Sequence, residues 1–264
     1  MSGYLFGIDP DRPVFRIVRA HRFLEDVASG QTRLISPSSW EDPQEDVITL
    51  MGFTYEGEGH RQRFAHQVLP PVFAQCWSMT EESDPLWRAY SRVSHDEAGQ
   101  HLSPNDEGLQ IRSTPRKLLA ALMGGAPDRE RCFVGSVHYV SRAGIAQEIV
   151  DEVNRAGLES FGDPIKRARA ALYKRDAYSH EAEVRTIYVG QTGDQMAAID
   201  VRLDHNDVID LVTLDGRLTE TERRAREDAL RGAGYGGTVF QHDLYVRILW
   251  EVMLQGKPPD EKAE

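Results

Sequence analysis

The chain has 264 residues, a formal net charge of -11, 40% hydrophobic and 28% charged residues, a balance that supports a sizeable core and excludes wholesale disorder. An acidic surface repels a phosphate backbone and an anionic membrane, so any nucleic-acid contact must be local. Two cysteines, Cys76 and Cys132, in unrelated contexts exclude a disulfide framework or zinc ribbon. With neither a signal-like start nor an apolar run of ~18 residues, the expectation is a cytoplasmic protein without membrane contact.

In chain order, "PVFRIVRA" (13–20) predicts a strand and "HRFLEDVAS" a short helix closed by Gly30. "TRLIS" predicts a second strand, which runs into the irregular loop "PSSWEDPQED" with Trp40, Asp42 and Glu45. "QRFAHQVLPPVF" has a helical apolar stripe up to Pro70, and "VFAQCWSMT" (72–80) reads as a buried strand. "DPLWRAYSRV" predicts a helix opened by Asp-Pro, with Leu86, Ala89, Tyr90 and Val93 inward. Strands follow at "GLQIRS" and "FVGSVHYV", and helices at "SRAGIAQEIVDEVNRAG" and "DPIKRARAALYKR". The remainder reads as a strand at "EAEVRTIYV", then "AAIDVRL", the amphipathic "TETERRAREDALRGAG", and strands "GTVFQ" and "LYVRILWEV". The sum is a mixed α+β fold, a largely antiparallel sheet core with flanking helices. It forms one domain over 1–254, with a charged, frayed tail over 255–264.

Chemistry concentrates in a few places. If residues 181–189 form a strand throughout, Glu181, Glu183 and Arg185 share one face. Neighbouring carboxylates then serve proton transfer or stabilise a cation, unless the segment is a solvated edge strand neutralised by Arg185. Arg16, Ser36, Ser78 and the aromatics Trp77 and Tyr90 sit at strand ends or beside polar loops. Aromatic walls with an arginine and a carboxylate suit a flat, phosphate-bearing ligand, whereas Trp87 and Tyr90 at helical spacing also suit plain core packing. The histidines lack paired ligand spacing, and no metal site is expected. The absence of a G-x-G-x-x-G, P-loop or G-x-S-x-G motif excludes the common nucleotide folds and a serine hydrolase. A nuclease would want lysine where "EAEVR" has arginine.

The ordered segments "SPSSWEDPQE", "QCWSMTEESDPLWRAYS", "GLQIRS", "VHYV", "YKRDAYSHEAEVRTIY" and "VFQHDLYV" resemble the bacterial family called domain of unknown function 2971, with Glu41 in place of its asparagine and Leu86 in place of its methionine. That resemblance implies an architecture and no reaction. A second one is to the three-motif pattern of ADP-ribosyltransferases: Arg16 in "FRIVR", Ser36 or Ser38 in "LISPSS", and Glu181 to Val184 in "EAEV". It implies an ADP-ribosyltransferase-like fold and an enzyme that consumes NAD as its substrate, by analogy a toxin or anti-phage effector. Under it Glu183 stabilises the oxocarbenium-like state, Glu181 orients the nucleophile, Arg16 pairs the diphosphate and Trp77 or Tyr90 stacks on nicotinamide. Ser36, Ser78 and Arg185 complete the expected cofactor contacts. The acceptor, protein or nucleic acid, stays open, with Lys166, Arg167 and Arg169 as a local phosphate track. The competing expectations are a non-catalytic nucleotide-sensing or protein-binding module and a metal-dependent nuclease.

Overall fold

The central strands of the sheet are buried almost throughout, with core clusters on both of its faces. The computed structural model describes residues 2–40, 42, 44–54, 62–194 and 196–245. Strands β1 (Leu5–Phe6) and β2 (Val14–Arg19) precede α1 (Ala20–Ser29), and β3 (Gln31–Ile35) leads into the irregular loop. After β4 (Gly52–Thr54) and β5 (Gln62–Phe64) come β6 (Val72–Ser78), α2 (Asp84–Tyr90), β7 (Gly108–Ser113), α3 (Pro115–Gly125), β8 (Cys132–Ser136) and β9 (His138–Val140). The second half holds α4 (Arg142–Ala156), α5 (Pro164–Ala170), β10 (Tyr173–Arg175), β11 (Glu183–Val189), β12 (Ala198–Arg202), α6 (His205–Val208), β13 (Leu211–Leu214), α7 (Glu220–Gly232) and β14 (Thr238–Gln241).

The main sheet runs β1-β8-β11-β6-β2-β7-β13-β14, with β3 joining β6 and β12 joining β3. Most of its pairs are antiparallel, while β1–β8 and β13–β14 are parallel. The fold is therefore the expected α+β type. One edge of β6 is shared between two partners: Ala74 pairs with Ile35 of β3 and Ser78 pairs with Phe15 of β2. Between those points residues 75–77 of β6 pair with neither strand, and this parting of β3 from β2 is termed the crevice.

Local chemistry explains most boundaries. The αL conformation of Gly30 (φ 64°) closes α1. Ser83 caps α2 ahead of Pro85, Asp163 caps α5 ahead of Pro164, and Thr219 with Glu222 forms a capping box on α7. Phe73, Trp77, Val184 and Tyr188 join Val14, Leu109 and Leu119 in the largest core cluster. Val72, Ala74, Ile187 and Val189 pack on the opposite face with Phe133 and Leu172.

Three expectations change. The stripe before Pro70 forms β5 and a single 3-10 turn, Ala65–Gln67, in place of a helix. On α2 the inward residue is Trp87, fully buried, and Tyr90 faces outward with 55% exposure; Ser91 already leaves helical geometry (φ -135°, ψ 125°), so the seven-residue helix is too short to carry a stripe. The predicted helix through Arg175 ends at Ala170, and "YKR" becomes β10, paired in parallel with β9. The proposed final strand beyond Tyr245, the domain limit at 254 and the charged tail lie outside the described residues. Among the described residues no helix is long and apolar enough to cross a membrane.

Candidate functional site

The segment from Lys174 to Arg185 forms the centre of the site, and its backbone is unusual. Strand β11 begins at Glu183, whereas Glu181 ends a 3-10 turn, Asp176–Glu181. Between them Ala182 adopts the left-handed conformation (φ 44°, ψ 52°), the one non-glycine residue with positive φ among the described residues. Such a residue is held only where surrounding bonds over-determine it. Here the Ala182 carbonyl accepts from Met79 N at 2.8 Å and its amide donates to Ser179 O. The expectation that Glu181 and Glu183 share a strand face is thus corrected: the turn at Ala182, and not strand alternation, brings their carboxylates together.

They meet on Lys174. Its Nζ lies 2.7 Å from Glu181 Oε2, 2.9 Å from Glu183 Oε2 and 3.0 Å from Glu45 Oε1. Arg185 is fully buried and donates Nε to Glu183 Oε1 at 2.8 Å, Nη1 to the Ala171 carbonyl at 2.8 Å and Nη2 to Glu45. Its guanidinium also lies over the Trp40 ring, 5.0 Å from the centroid. Three carboxylates and two cations form one network with an excess of one negative charge. Burial opposes ionisation of Glu183, but Arg185 and Lys174 outweigh it and hold the carboxyl at about 2. For Lys174 and Arg185 the same attraction overcomes desolvation and raises both above their ordinary values.

Accessibility separates the two glutamates. Glu183 exposes 2% of its side chain and is bonded through both oxygens, with its amide donating to Tyr139 Oη at 2.8 Å. Glu181 exposes 21% and uses Oε2 alone, so Oε1 has no donor among the described residues. The solvated edge strand is overturned, since β11 lies between β6 and β8 and is buried throughout.

Arg16 stands on β2 within electrostatic reach of Cys76 on β6, Asp26 on α1 and Tyr90 on α2. It is half-buried and makes no hydrogen bond or ion pair among the described residues. Desolvation pushes its guanidinium below the ordinary value, and Cys76, Asp26 and Tyr90 partly restore it. Tyr90 bridges the two charged regions: desolvation and then the Glu181 charge push its phenol up, with Cys76 and Glu183 adding to the effect. Cys76 stands opposite Arg185 in register. Burial and the Glu183 carboxylate push its thiol well up, so it stays protonated and is a poor nucleophile. Tyr90, with 55% exposure, is thus within electrostatic reach both of Arg16, which has no partner among the described residues, and of the Glu181 carboxylate, whose Oε1 is open.

Several sequence expectations fall differently. Trp77 is 4% exposed and belongs to the core opposite Val184, so it cannot stack on a ligand in the crevice. Ser78 fastens the end of β6, donating to the Glu181 carbonyl at 2.7 Å and accepting from Thr80 N at 3.0 Å. Arg185 has no free donor face, because its place is beneath the carboxylates. Ser36 pairs its hydroxyl with Ser38 at 2.9 Å and makes no contact with the Lys174 network. The phosphate track dissolves as well: Lys166 pairs with Glu152, Arg167 is buried on Asp46, and Arg169 lies over Phe6. Asp42 accepts from Gln44 N and from Arg175 Nη2, consistent with a loop-fastening role, while Glu41 lies outside the described residues. Glu45 was legible only as part of the polar loop, and Tyr139 carries no sequence signal of its own. Lys174 was marked only as part of the lysine-to-arginine segment "YKRDAYSHEAEVR". Among the described residues no group of three or more His, Cys, Asp or Glu is placed to hold a metal ion.

Neither a protein-family model nor a curated protein sequence matches the chain, so the resemblance to the domain of unknown function 2971 is not supported by comparison. Among solved structures, the chain is similar to Thermus sp. 2.9 DarT in complex with ADP-ribosylated ssDNA, at 11% identity and a TM-score of 0.41, over 90% of this chain and 96% of that one. It is also similar to Thermus sp. 2.9 DarT in complex with carba-NAD+, at 12% identity and a TM-score of 0.38 over 89% and 97% of the two chains. The same protein in complex with NAD+ matches at 10% identity and a TM-score of 0.38, over 89% and 96%.

Proposed function

We propose that the chain is an NAD-consuming enzyme of the ADP-ribosyltransferase type. The observation that carries this reading is the Arg16 guanidinium, which has no hydrogen-bond or ion-pair partner among the described residues, with the exposed Tyr90 in electrostatic reach both of it and of the open Glu181 carboxylate. A dinucleotide with an anionic diphosphate and a cationic nicotinamide-ribose end matches that polarity. Arg16 takes the diphosphate as a bidentate donor, and the exposed Tyr90 ring offers a face for nicotinamide. The bond between ribose C1′ and the nicotinamide nitrogen breaks with its electron pair leaving on nicotinamide, so the pyridinium becomes neutral. Positive charge then develops on the ribose, where a fixed carboxylate stabilises it. The acceptor forms the new bond to C1′ and releases its proton to the carboxylate or to water.

In this reading Glu181 takes the cation-stabilising role that the sequence assigned to Glu183. Glu181 is the carboxylate able to touch the ribose, and Glu183 is a positioning residue that holds Lys174, which in turn holds Glu181. The acceptor, protein or nucleic acid, and any role as a toxin or anti-phage effector belong to the same proposal.

Purified protein incubated with NAD should release nicotinamide, and Arg16→Met should abolish the release. The enclosure of Glu183 favours a second reading, a module that binds a nucleotide without turning it over. Saturable NAD binding with no nicotinamide release selects that reading over the first.

A further inference from the structure

The wall of the crevice where β3 parts from β6 carries polar residues that the proposed reaction leaves unused. Gln75, buried on β6, donates Nε2 to Thr32 Oγ1 at 2.7 Å and to the Arg33 carbonyl at 3.0 Å. Thr32 has one proton to give, and it gives it to Asp26 Oδ2 at 3.3 Å. This relay aims the Asp26 carboxylate of α1 while leaving Oδ1 without a donor among the described residues. Burial pushes the Asp26 carboxyl up and Arg16 draws it back down, yet the two side chains form no ion pair. A guanidinium and a carboxylate that act on each other without touching fit a ligand group that accepts from one and donates to the other. A phosphate ester followed by a sugar hydroxyl does both.

We infer that Asp26 reads a free ribose hydroxyl beside the phosphate held by Arg16, so that the crevice takes a dinucleotide with unmodified ribose and rejects one phosphorylated on that hydroxyl. The inference rests on the reading of the site as a dinucleotide crevice. A phosphate in place of the hydroxyl removes the donor and sets a dianion against a desolvated carboxylate, an unfavourable like-charge contact. NAD and NADP differ by one such phosphate and serve as the probes.

Affinities of the full chain for NAD and NADP, measured by titration calorimetry with nicotinamide release assayed in parallel, test the assignment. The parent should prefer NAD by about 10²-fold or more, as expected for a site built around a substrate hydroxyl. Asp26→Asn should narrow that ratio at least about tenfold, and Thr32→Val, which removes the aiming bond, should narrow it less. Asparagine keeps an acceptor for Thr32 and removes a desolvated charge, so the variant should fold at neutral pH as well as the parent. Equal affinities in the parent, an unchanged ratio in Asp26→Asn, or no binding of either dinucleotide overturns the inference. Discrimination in binding without nicotinamide release overturns the enzyme reading alone, and release without discrimination overturns this inference alone.

Discussion

Arg185 and Arg16 stand on strands of the same sheet, and their surroundings are opposite. Arg185 is wholly enclosed and saturated by Glu183, Glu45, the Ala171 carbonyl and the Trp40 ring. Arg16 is half-buried and has no partner among the described residues. A saturated buried ion network holds structure, because removing any member leaves another charge uncompensated. A desolvated charge kept without a partner is poised for a ligand, because the fold gains nothing from it. The contrast separates residues that build the site from residues that use it.

The most severe test of that contrast is Arg185→Met, which leaves Glu45, Glu181 and Glu183 with Lys174 as their one shared cation. It should destabilise the protein by about 3 to 5 kcal/mol, read from urea unfolding. Arg16→Met should leave stability equal or slightly higher while weakening NAD binding on the order of 10²-fold. If both substitutions destabilise alike, Arg16 is a structural charge and the distinction collapses.

Next come the glutamates. Glu181→Gln should lower turnover by about 10²-fold with little change in the melting temperature, since it loses one partly exposed bond. Glu183→Gln should lower turnover and stability together, because it releases both Lys174 and Arg185. A stable but inactive Glu183→Gln beside an active Glu181→Gln would restore the roles expected from sequence.

Acid titration gives a smaller, graded effect. The Glu183 carboxyl is held at about 2 against an ordinary 4.5. Its folded value is depressed, so its contribution is complete above about 4.5 and is lost as pH falls toward about 2. Parent stability should decline through that window. Glu183→Gln, less stable at neutral pH, should decline less, and parallel curves would show that the network does not govern acid stability.

The smallest effect concerns the turn that joins the two glutamates. Ala182→Gly should stabilise the fold by about 1 kcal/mol or less, because glycine adopts the left-handed conformation without the Cβ clash. Any accompanying loss of turnover would mean that rigidity at Ala182 keeps Glu181 aimed.

Much of the frame was legible in the chain. Short β-rich apolar runs marked β2, β3, β6, β7 and β11, and the Asp-Pro and Gly30 signals marked helix ends, because these depend on local sterics and hydrogen bonding. Arg16, Glu181 and Glu183 stood out as charges interrupting or abutting apolar strands. Trp77 misled, since an indole beside polar neighbours in sequence says nothing about which face of its element it occupies, whereas Trp87 took the core place that its helical spacing suggested.

What the sequence alone determined was the α+β class, most of its strands and helices, and the charged residues available for chemistry, all set by interactions over a few residues. The tertiary structure decided which of those charges are spent on one another. Glu45 reaches Arg185 across 140 positions of sequence, Lys174 leaves its predicted helix for β10, and the split of β2 and β3 along β6 makes the crevice. Such partnerships depend on strand order and burial, and desolvation, which turns a charge from a solvated ornament into either a strut or a ligand site, exists only once the sheet has closed around it.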